Sequence, residues 1–301
     1  MKKVLAALMA SLMMLLIAAT AVADMMYILP ESNTRRLTWD EVAEWDYETL
    51  GYAFNELMAR HGFNFEPGQR YDNYFSTLPW YTPNANPDKQ IVYHALSEIE
   101  WDNYRLIKAV REEKRVFDYG KSMWDNYSRG FATLQGFEYA QLKTNQILSV
   151  YSAPDYRSWR GSNGKAQVST NGAIYAAGWE SGWLLVMYEI NNGSVRVGYV
   201  DSQQIKGTIP VYETLNFSYE QTTVTQDCVL TDDPARYNAS IVRLSAGDTV
   251  TYLTTYFNNK AWDYVEVQIR GQVARGFIQS GNLALTAEDP LDTLDTDPWS
   301  K

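Results

Sequence analysis

The chain has 301 residues and a net charge of −10 at pH 7, because 36 acidic residues outnumber 26 basic ones. This excess of negative charge argues against nucleic acid as a partner and against electrostatic adhesion to anionic lipids or anionic wall polymers. Neutral glycans, peptides and proteins are the better candidate partners, and the single cysteine, Cys228, excludes an intrachain disulfide.

The first element is predicted to be a secretory signal peptide over residues 1–23. Lys2 and Lys3 precede an apolar run that ends in Ala-Val-Ala at residues 21–23, which is typical of a cleavage site before Asp24. The apolar run is about long enough to span a bilayer, so an uncleaved anchor stays an alternative. We expect a secreted or cell-envelope-associated protein without stable membrane insertion after cleavage.

Residues 24–117 are predicted to form a small helical domain. Capping boxes at Thr38 to Glu41 and at Ser97 to Glu100 mark two helix starts. Apolar residues between them recur at helical spacing up to His61, and Gly62 follows where a left-handed C-terminal cap is expected.

A specific motif lies inside this domain: residues 55–65 read NELMARHGFNF, followed by Phe75 and by WYTP at residues 80–83. This run resembles the YARHG domain, with Met58 in place of the first letter of the motif. The resemblance implies a secreted or envelope-attached bacterial protein, and the family has no agreed activity. We interpret the motif residues as builders of the fold: Asn55, Glu56, Ala59, Arg60, His61, Gly62, Phe65, Trp80 and Tyr81. A general base or ligand at His61 is the alternative.

Residues 118–143 fit neither the helical nor the strand period and are interpreted as a packed connector. From residue 144 the apolar period becomes two, and a repeat is visible. Trp183 leads to Gly198-Tyr199-Val200, and Trp262 leads to Gly276-Phe277-Ile278. Short strands separated by Gly and Asn turns at this density predict a small β-barrel of roughly 60 residues, used twice.

Both copies resemble the bacterial SH3-like fold, the first (residues 144–206) through VYSAP at 150–154, GWLLV at 182–186 and GYV at 198–200. The second copy, residues 220–286, departs from this pattern because Asp232-Asp233-Pro234 replaces the opening turn and Asp263 follows the tryptophan. Residues 207–219 are predicted to be a linker, and residues 287–301 an acidic disordered tail. The predicted fold class is therefore α+β multidomain, a helical YARHG-like domain followed by two SH3-like barrels.

The sequence assigns no catalytic residue, no metal site and no cofactor. Nucleophilic catalysis needs Ser or Cys beside a histidine, and the chain has only two histidines. No clustered ligands at metal spacing are visible. Cys228 is predicted to be buried and inert, with an intermolecular disulfide or a reactive thiol as alternatives.

Binding is the better-supported class, because SH3-like barrels present an aromatic-lined groove between loops. The first copy offers Tyr151, Tyr156, Trp159, Trp179 and Tyr188 as groove candidates. The second copy offers Tyr252, Tyr256 and Tyr264. Trp183, Tyr199, Trp262 and Phe277 are interpreted instead as barrel core. We expect an exported, non-catalytic protein that recognises peptidoglycan or another wall component; an envelope protein scaffold is the alternative, and a cryptic hydrolase comes third.

Overall fold

The computed structural model describes residues 27–86, 88–118, 134–140, 145–169, 174–190, 194–207, 213–234, 240–258 and 260–285. A helical region comes first and a β-rich region follows. The predicted signal peptide and acidic tail, and most of the predicted connector, lie outside the described residues.

Five α-helices are described in the helical region. They are α1 (Trp39–Ala43), α2 (Tyr47–Arg60), α3 (Arg70–Phe75), α4 (Lys89–Ala95) and α5 (Glu98–Asp118), preceded by a 3-10 turn at Pro30–Asn33. Both predicted capping boxes are confirmed: Glu41 closes one on Thr38, and Glu100 closes the other on Ser97. Helix α2 ends at Arg60, and Gly62, two residues further on, has a φ of 76°, as a left-handed C-terminal cap requires.

Two charged residues of the motif, Glu56 and Arg60, join α2 to residues 27–29, which precede it in the chain. The buried carboxylate of Glu56 accepts a hydrogen bond from the Ile28 amide at 2.8 Å and pairs with the Arg60 guanidinium at 2.5 Å. Arg60 also donates to the Leu29 carbonyl at 3.1 Å and lies 3.9 Å from the centre of the Tyr27 ring. Burial raises the pKa of Glu56, because its charged form has lost water.

The other motif residues connect the end of α2 to the loops around it. His61 Nε2 lies 2.7 Å from the Glu100 carboxylate at the start of α5. Phe65 stacks on Phe75 with ring centres 5.0 Å apart, and the Tyr81 hydroxyl donates to the Phe63 carbonyl at 2.7 Å. The rest are placed as follows: Asn55 donates to the Gly51 carbonyl within α2, Ala59 is buried, and the Trp80 ring centre lies 5.0 Å from that of Tyr27.

Replacing Gly62 with Ala is expected to cost more stability than the same change at Gly68. Both glycines have left-handed φ angles, 76° and 78°, so both variants lose about 1 kcal/mol of backbone preference. A Cβ on Gly62 would meet the Thr82 carbonyl oxygen at 2.9 Å, whereas one on Gly68 would meet nothing within 4 Å. We expect about 1 kcal/mol of additional loss at Gly62. Urea unfolding measures both variants; equal losses would contradict the close contact.

The β-rich region contains twelve strands among the described residues. They are β1 (Glu138–Ala140), β2 (Ile147–Ser149), β3 (Gln167–Ser169), β4 (Ile174–Glu180), β5 (Trp183–Glu189), β6 (Val195–Asp201), β7 (Glu220–Thr223), β8 (Cys228–Thr231), β9 (Ser240–Leu244), β10 (Thr249–Phe257), β11 (Ala261–Ile269) and β12 (Gln272–Gln279). A turn at Gly161–Gly164 and a 3-10 turn at Ser202–Gln204 connect some of them. Among the described residues of this region no closed barrel is found; the described strands form open sheets.

The two copies of the repeat have the same strand order. The second forms one sheet in the order β7-β10-β11-β12-β8-β9. The first forms β1-β4-β5-β6 and a separate pair β2-β3, and a bridge between Tyr151 and Tyr199 connects β6 to the chain just after β2. Each copy also has a bulge at the equivalent place, after Ala176 in β4 and after Tyr252 in β10. The sequence repeat is therefore also a structural repeat.

The copies pack against each other around a shared core. On β5, Trp183, Leu185 and Met187 lie in one cluster with Trp262 and Tyr264 of β11. The alternate residues of β5, Leu184 and Val186, lie in a different cluster that belongs to the first copy alone. The tryptophans and aromatic residues interpreted as barrel core, Trp183, Tyr199, Trp262 and Phe277, are thus buried between the copies.

Hydrogen bonds from backbone amides connect the two copies in both directions. The Val197 amide on β6 donates to the Asp232 carbonyl of the second copy at 2.9 Å. In the opposite direction, the Arg275 amide on β12 donates to the Ser152 hydroxyl of the first copy at 2.5 Å. One bond joins β6 of the first copy to the chain that follows β8 of the second. The other joins β12 of the second copy to the chain that follows β2 of the first. The two copies therefore form one body.

Candidate functional site

A cavity of about 280 Å³ lies where the helical region meets both β copies. The helical wall is the end of α3 and the turn after it, from Tyr74 to Pro79. The second wall is the end of β10, from Thr254 to Phe257. Ala177 of β4 and residues from the two segments that flank the first copy close the third side: Gln135, Gly136, Glu138, Glu213, Thr214, Leu215, Asn216 and Phe217.

The segment before β7 is held in place by backbone hydrogen bonds to both copies. Thr214 pairs with Trp179 of β4, and the Trp179 amide donates to the Glu213 carbonyl at 2.8 Å. Further along, the Ser218 amide donates to the Leu253 carbonyl of β10 at 3.0 Å. The approach needs a glycine on β4: Gly178 has a φ of 155°, and a Cβ there would lie 2.8 Å from the Glu213 carbonyl oxygen. Residues 213–217 of the predicted linker therefore form a wall of the cavity.

Two carboxylates give the cavity a negative side. Glu138 on β1 and Glu213 both belong to the lining, and burial together with the charge of Glu213 raises the pKa of Glu138. None of the described lining residues is Lys, Arg or His. Rings from Tyr74, Phe217 and Tyr256 provide the apolar side. The arrangement can bind a small ligand; the described lining contains no Cys and no His.

A buried polar cluster fixes the helical region on the second copy beside this cavity. Asp263 of β11 accepts hydrogen bonds from Thr255 at 2.9 Å and from Ser280 at 2.5 Å. On the helical side, Arg70 donates to the Tyr52 hydroxyl at 2.7 Å, and that hydroxyl lies 3.4 Å from the Thr255 hydroxyl. Asp263 stands where the SH3-like pattern has an aliphatic residue. The structural reason is the hydrogen-bonded cluster that connects Asp263, through Thr255, to Tyr52 and Arg70 of the helical region.

A second contact between the helical region and β11 involves Asp46, which caps α2. Its carboxylate accepts hydrogen bonds from the Thr49 amide at 2.7 Å and from the Ala261 amide at 3.2 Å. Burial raises the pKa of Asp46, as it does that of Asp263, to about 6 in each case. The hydrogen bonds to each carboxylate oppose this shift but are outweighed by the loss of water.

Replacing Asp263 with Asn is expected to change how stability depends on pH. A folded-state pKa raised to about 6 means that the acid contributes stability below about pH 4 and that this contribution is lost as the pH rises through 6. Asn is neutral throughout and keeps a carbonyl acceptor for Thr255 and Ser280. The free energy of unfolding of the variant, relative to the parent chain, should therefore rise between pH 4 and pH 7. Urea unfolding at pH 4 and pH 7 measures this difference in free energy between variant and parent chain, and Asp227→Asn, at an exposed residue, is the control. The same difference at both pH values would contradict the raised pKa of Asp263.

The predicted groove residues of the first copy are only partly together. Tyr151 and Tyr156 meet edge to face with ring centres 5.5 Å apart, and Trp183 joins them at 5.3 and 4.8 Å. Tyr156 is 56% exposed and its hydroxyl donates to Asp201. The others lie apart from this group. Trp159 packs on the core of the second copy, Trp179 packs on the core of the first, and Tyr188 belongs to that core.

The predicted groove residues of the second copy are buried. Tyr252 and Tyr264 are 0% and 1% exposed, so a ligand does not reach them from solvent. Tyr256, 9% exposed, lies in the shared core and also lines the cavity. It is the one predicted groove residue among the described lining.

The sequence did not indicate most of the cavity. Glu138, Glu213 and Asn216 lie in the stretches interpreted as connector and linker, where no period assigns a face to a side chain. A usable signal was present: each stretch carries a glutamate and an aromatic residue beside a copy of the repeat.

The groups with most potential for chemistry lie elsewhere. Burial raises the pKa of the Cys228 thiol to about 11, which is opposite to the shift of a nucleophilic cysteine. His94 is exposed on α4 and His61 is bonded to Glu100. Within the described ranges, no group of three His, Cys, Asp or Glu side chains is arranged to hold a metal ion.

A family model for the YARHG domain matches residues 25–112. This part of the chain is a YARHG domain. It is an extracellular type of domain, in agreement with the predicted export. Among the described residues, no helix combines the length and apolar character that a membrane span needs.

Comparison with curated proteins gives no match. Two solved structures from Trichomonas vaginalis align with about half of the chain. NlpC2 is 18% identical over 51% of this chain and 49% of that one, and NlpC1 is 16% identical over 52% and 48%. The chain thus spans about half the length of these proteins. Both TM-scores are 0.20, too low to support a conclusion about fold or activity.

Proposed function

We propose that the protein is an exported, non-catalytic binding protein of the cell envelope, and that its ligand is a peptidoglycan component bound in the cavity between the YARHG domain and the β repeats. The cavity is the observation that carries the proposal. It is concave, mostly apolar and edged by a few polar groups, which is the usual composition of a small-ligand site. The cavity walls come from the helical region and from both copies of the repeat. Ligand binding in the cavity would therefore account for the packing of these three parts against one another.

The proposal includes an SH3-like identity for the two copies. Equal strand order, equal bulges, and a tryptophan and a glycine at equivalent places support it. The open sheets and the shared core make them a fused pair, which differs from two independent barrels on a linker. The proposed mechanism therefore does not use avidity from two independently moving sites. It uses a single site, the cavity between the helical region and the two copies.

Co-sedimentation with intact peptidoglycan tests the proposal. The chain from Asp24 onward is expected to pellet with the wall polymer. Asn216 is exposed at the edge of the cavity, so Asn216→Trp should fill the entrance without disturbing a core, and should weaken binding about tenfold or more. Thr225→Trp adds the same ring at an exposed place outside the lining and should pellet like the parent chain.

Equal pelleting of the Asn216→Trp variant and the parent chain would place wall binding outside the cavity. Failure of the parent chain to pellet would refute the wall ligand altogether. Circular dichroism of all three proteins checks that each is folded.

An envelope protein scaffold is the second candidate, and one surface feature favours it. Ile147 is 68% exposed on β2, in a two-stranded pair at the border of the first copy. An exposed apolar residue beside a short strand pair suits a protein partner. Saturable binding to an envelope protein that Ile147→Ser abolishes and Asn216→Trp leaves unchanged would favour this candidate.

A further inference from the structure

One wall of the cavity belongs to a segment that ends at a residue with a strained backbone. We call this segment, residues 213–219, the strap. Its last residue, Tyr219, has a φ of 52°, in the left-handed region that residues with a Cβ rarely adopt. The other described non-glycine residues with positive φ each adjoin a glycine in a turn: Ser162, Asn163, Ser181 and Arg270. Tyr219 instead directly precedes β7, so contacts elsewhere in the fold must maintain its conformation.

The hydroxyl of Tyr219 makes contacts that oppose this strain. It donates to the Glu180 carboxylate, and it accepts a hydrogen bond from the Arg275 guanidinium at 3.3 Å. Glu180 and Arg275 are themselves an ion pair buried between the copies. Tyr219 as a whole is 49% exposed, so half of the residue faces solvent. Because hydrogen bonds to charged groups are stronger than neutral ones, this one hydroxyl can hold the left-handed backbone in place.

Backbone hydrogen bonds close to the protein surface attach the rest of the strap to both copies. The Leu215 amide donates to the Trp179 carbonyl at 2.8 Å, and the Ser218 amide donates to the Leu253 carbonyl at 3.0 Å. Asn216, between the two donors, is exposed. Segments whose hydrogen bonds lie near solvent open at a lower free energy than buried strands do. The strap can therefore leave the two sheets while the sheets stay folded.

We propose that the strap is the gate of the cavity. It opens when the Tyr219 hydroxyl leaves Glu180 and Arg275 and the Tyr219 backbone relaxes to an extended conformation. Opening removes the wall that residues 213–217 form, whereas the walls from α3 and β10 stay in place. This inference rests on the proposed function of the cavity as a ligand site, and it adds the step that controls entry and release.

Amide hydrogen exchange of the chain from Asp24 onward, without ligand, measures the opening. The amides of Leu215 and Ser218 report on the strap. The Tyr199 amide, which donates to the Tyr151 carbonyl at 2.7 Å inside the first copy, reports on the sheets. Leu215 and Ser218 should have similar protection factors, about tenfold or more below that of Tyr199, because one local opening exposes both strap amides.

Tyr219→Phe removes the hydroxyl and keeps the ring. Exchange of both strap amides should become about tenfold faster, and that of Tyr199 should stay unchanged. Tyr156→Phe is the matched control, because Tyr156 is also about half exposed and also donates its hydroxyl to a carboxylate, that of Asp201. The control should leave exchange in the strap unchanged.

A second pair of variants tests the backbone strain separately from the hydroxyl. Tyr219→Ala and Tyr219→Gly both lack the ring and the hydroxyl, and they differ in how readily residue 219 adopts a left-handed φ. The strap amides should exchange about three- to fivefold more slowly in the glycine variant than in the alanine variant, although glycine is the more flexible residue. The opposite order would contradict a closed strap that depends on the left-handed backbone.

Stopped-flow binding of soluble peptidoglycan fragments connects the opening to the ligand. Tyr219→Phe should accelerate both association and release about tenfold, because a larger fraction of the protein has an open strap. Unchanged binding rates beside faster exchange would show that the strap moves without controlling entry, and would overturn the inference.

Three exchange results would also overturn the inference: strap amides as protected as Tyr199, an unchanged rate in Tyr219→Phe, or an equal acceleration at Tyr199. Wall co-sedimentation of the same preparations separates these results from the proposed function. A strap that stays closed, with wall binding that Asn216→Trp abolishes, keeps the function and overturns the gate. The expected exchange without any fragment or wall binding supports the opening of the strap and refutes the proposed ligand.

Discussion

Replacing Arg275 with Met is expected to lower the free energy of unfolding by about 3–5 kcal/mol. Arg275 lies on β12, and its side chain, 4% exposed, donates to Glu180 of the first copy at 2.7 Å and to Glu266 at 2.8 Å. Met can occupy the volume of the stem but leaves the Glu180 carboxylate buried between the copies without its cation. The loss of the partner, more than the loss of the pair itself, makes the change costly.

Urea unfolding measures the Arg275→Met effect, and Arg157→Met is the matched control. Arg157 is also paired with an acid, Asp155 at 2.9 Å, but its side chain is 90% exposed, so Arg157→Met should lose much less stability than Arg275→Met. Similar losses for the two variants would show that the Glu180 site is accessible to water and that the copies do not form one body.

The second large effect is expected at Gly276, where Ala should cost about 3 kcal/mol, the upper end of overpacking. A Cβ on this residue would lie 2.6 Å from the Thr231 carbonyl oxygen, on the neighbouring backbone. The equivalent residue of the first copy, Gly198, would place its Cβ 2.8 Å from the Tyr151 carbonyl oxygen. Because the two sites are related by the repeat, Gly198→Ala should cost a similar amount.

Gly161→Ala is the control for both glycine variants. Its added Cβ would make only ordinary contacts, at 3.6 Å and beyond. Thermal unfolding of the three variants compares them. A loss at Gly276 with none at Gly198 would contradict the structural equivalence of the two copies, and losses no larger than that of Gly161→Ala would contradict the close strand approach.

The local features of the fold were predictable from the sequence because their causes are local. A capping box needs only residues three apart, so the starts of α1 and α5 could be predicted from Thr38 and Ser97. The repeat was visible because Trp183 and Trp262, and the glycines that follow them, recur in order. These local signals predict the type of secondary structure of each segment, but they do not predict which other segments pack against it.

The shared core was not predicted, although part of its signal was available. Residues 183–188 are all apolar or aromatic and all buried, so both faces of β5 are covered. A strand in a small barrel with one solvated face alternates instead. The uninterrupted run therefore indicated a second layer, and the same is true of Tyr264 and Val265 on β11, which face different clusters.

The cavity was predictable only through Tyr256. Its other polar residues, Glu138 and Asn216 among them, lie on short or irregular stretches that are positioned by backbone contacts with distant strands. Pairing between segments far apart in the chain leaves no periodic trace in the sequence of an irregular segment. An aromatic residue in a loop, such as Trp159, was conversely taken as accessible, whereas tertiary packing covers much of it.

Amide chemical-shift mapping during titration with soluble peptidoglycan fragments both detects binding and locates the binding site. We expect saturable shifts that are largest at residues 213–217 and 254–257, on two walls of the cavity, and that are absent in Asn216→Trp. Shifts confined to the surface around Tyr151 and Tyr156, or no saturable shifts, would contradict this expectation.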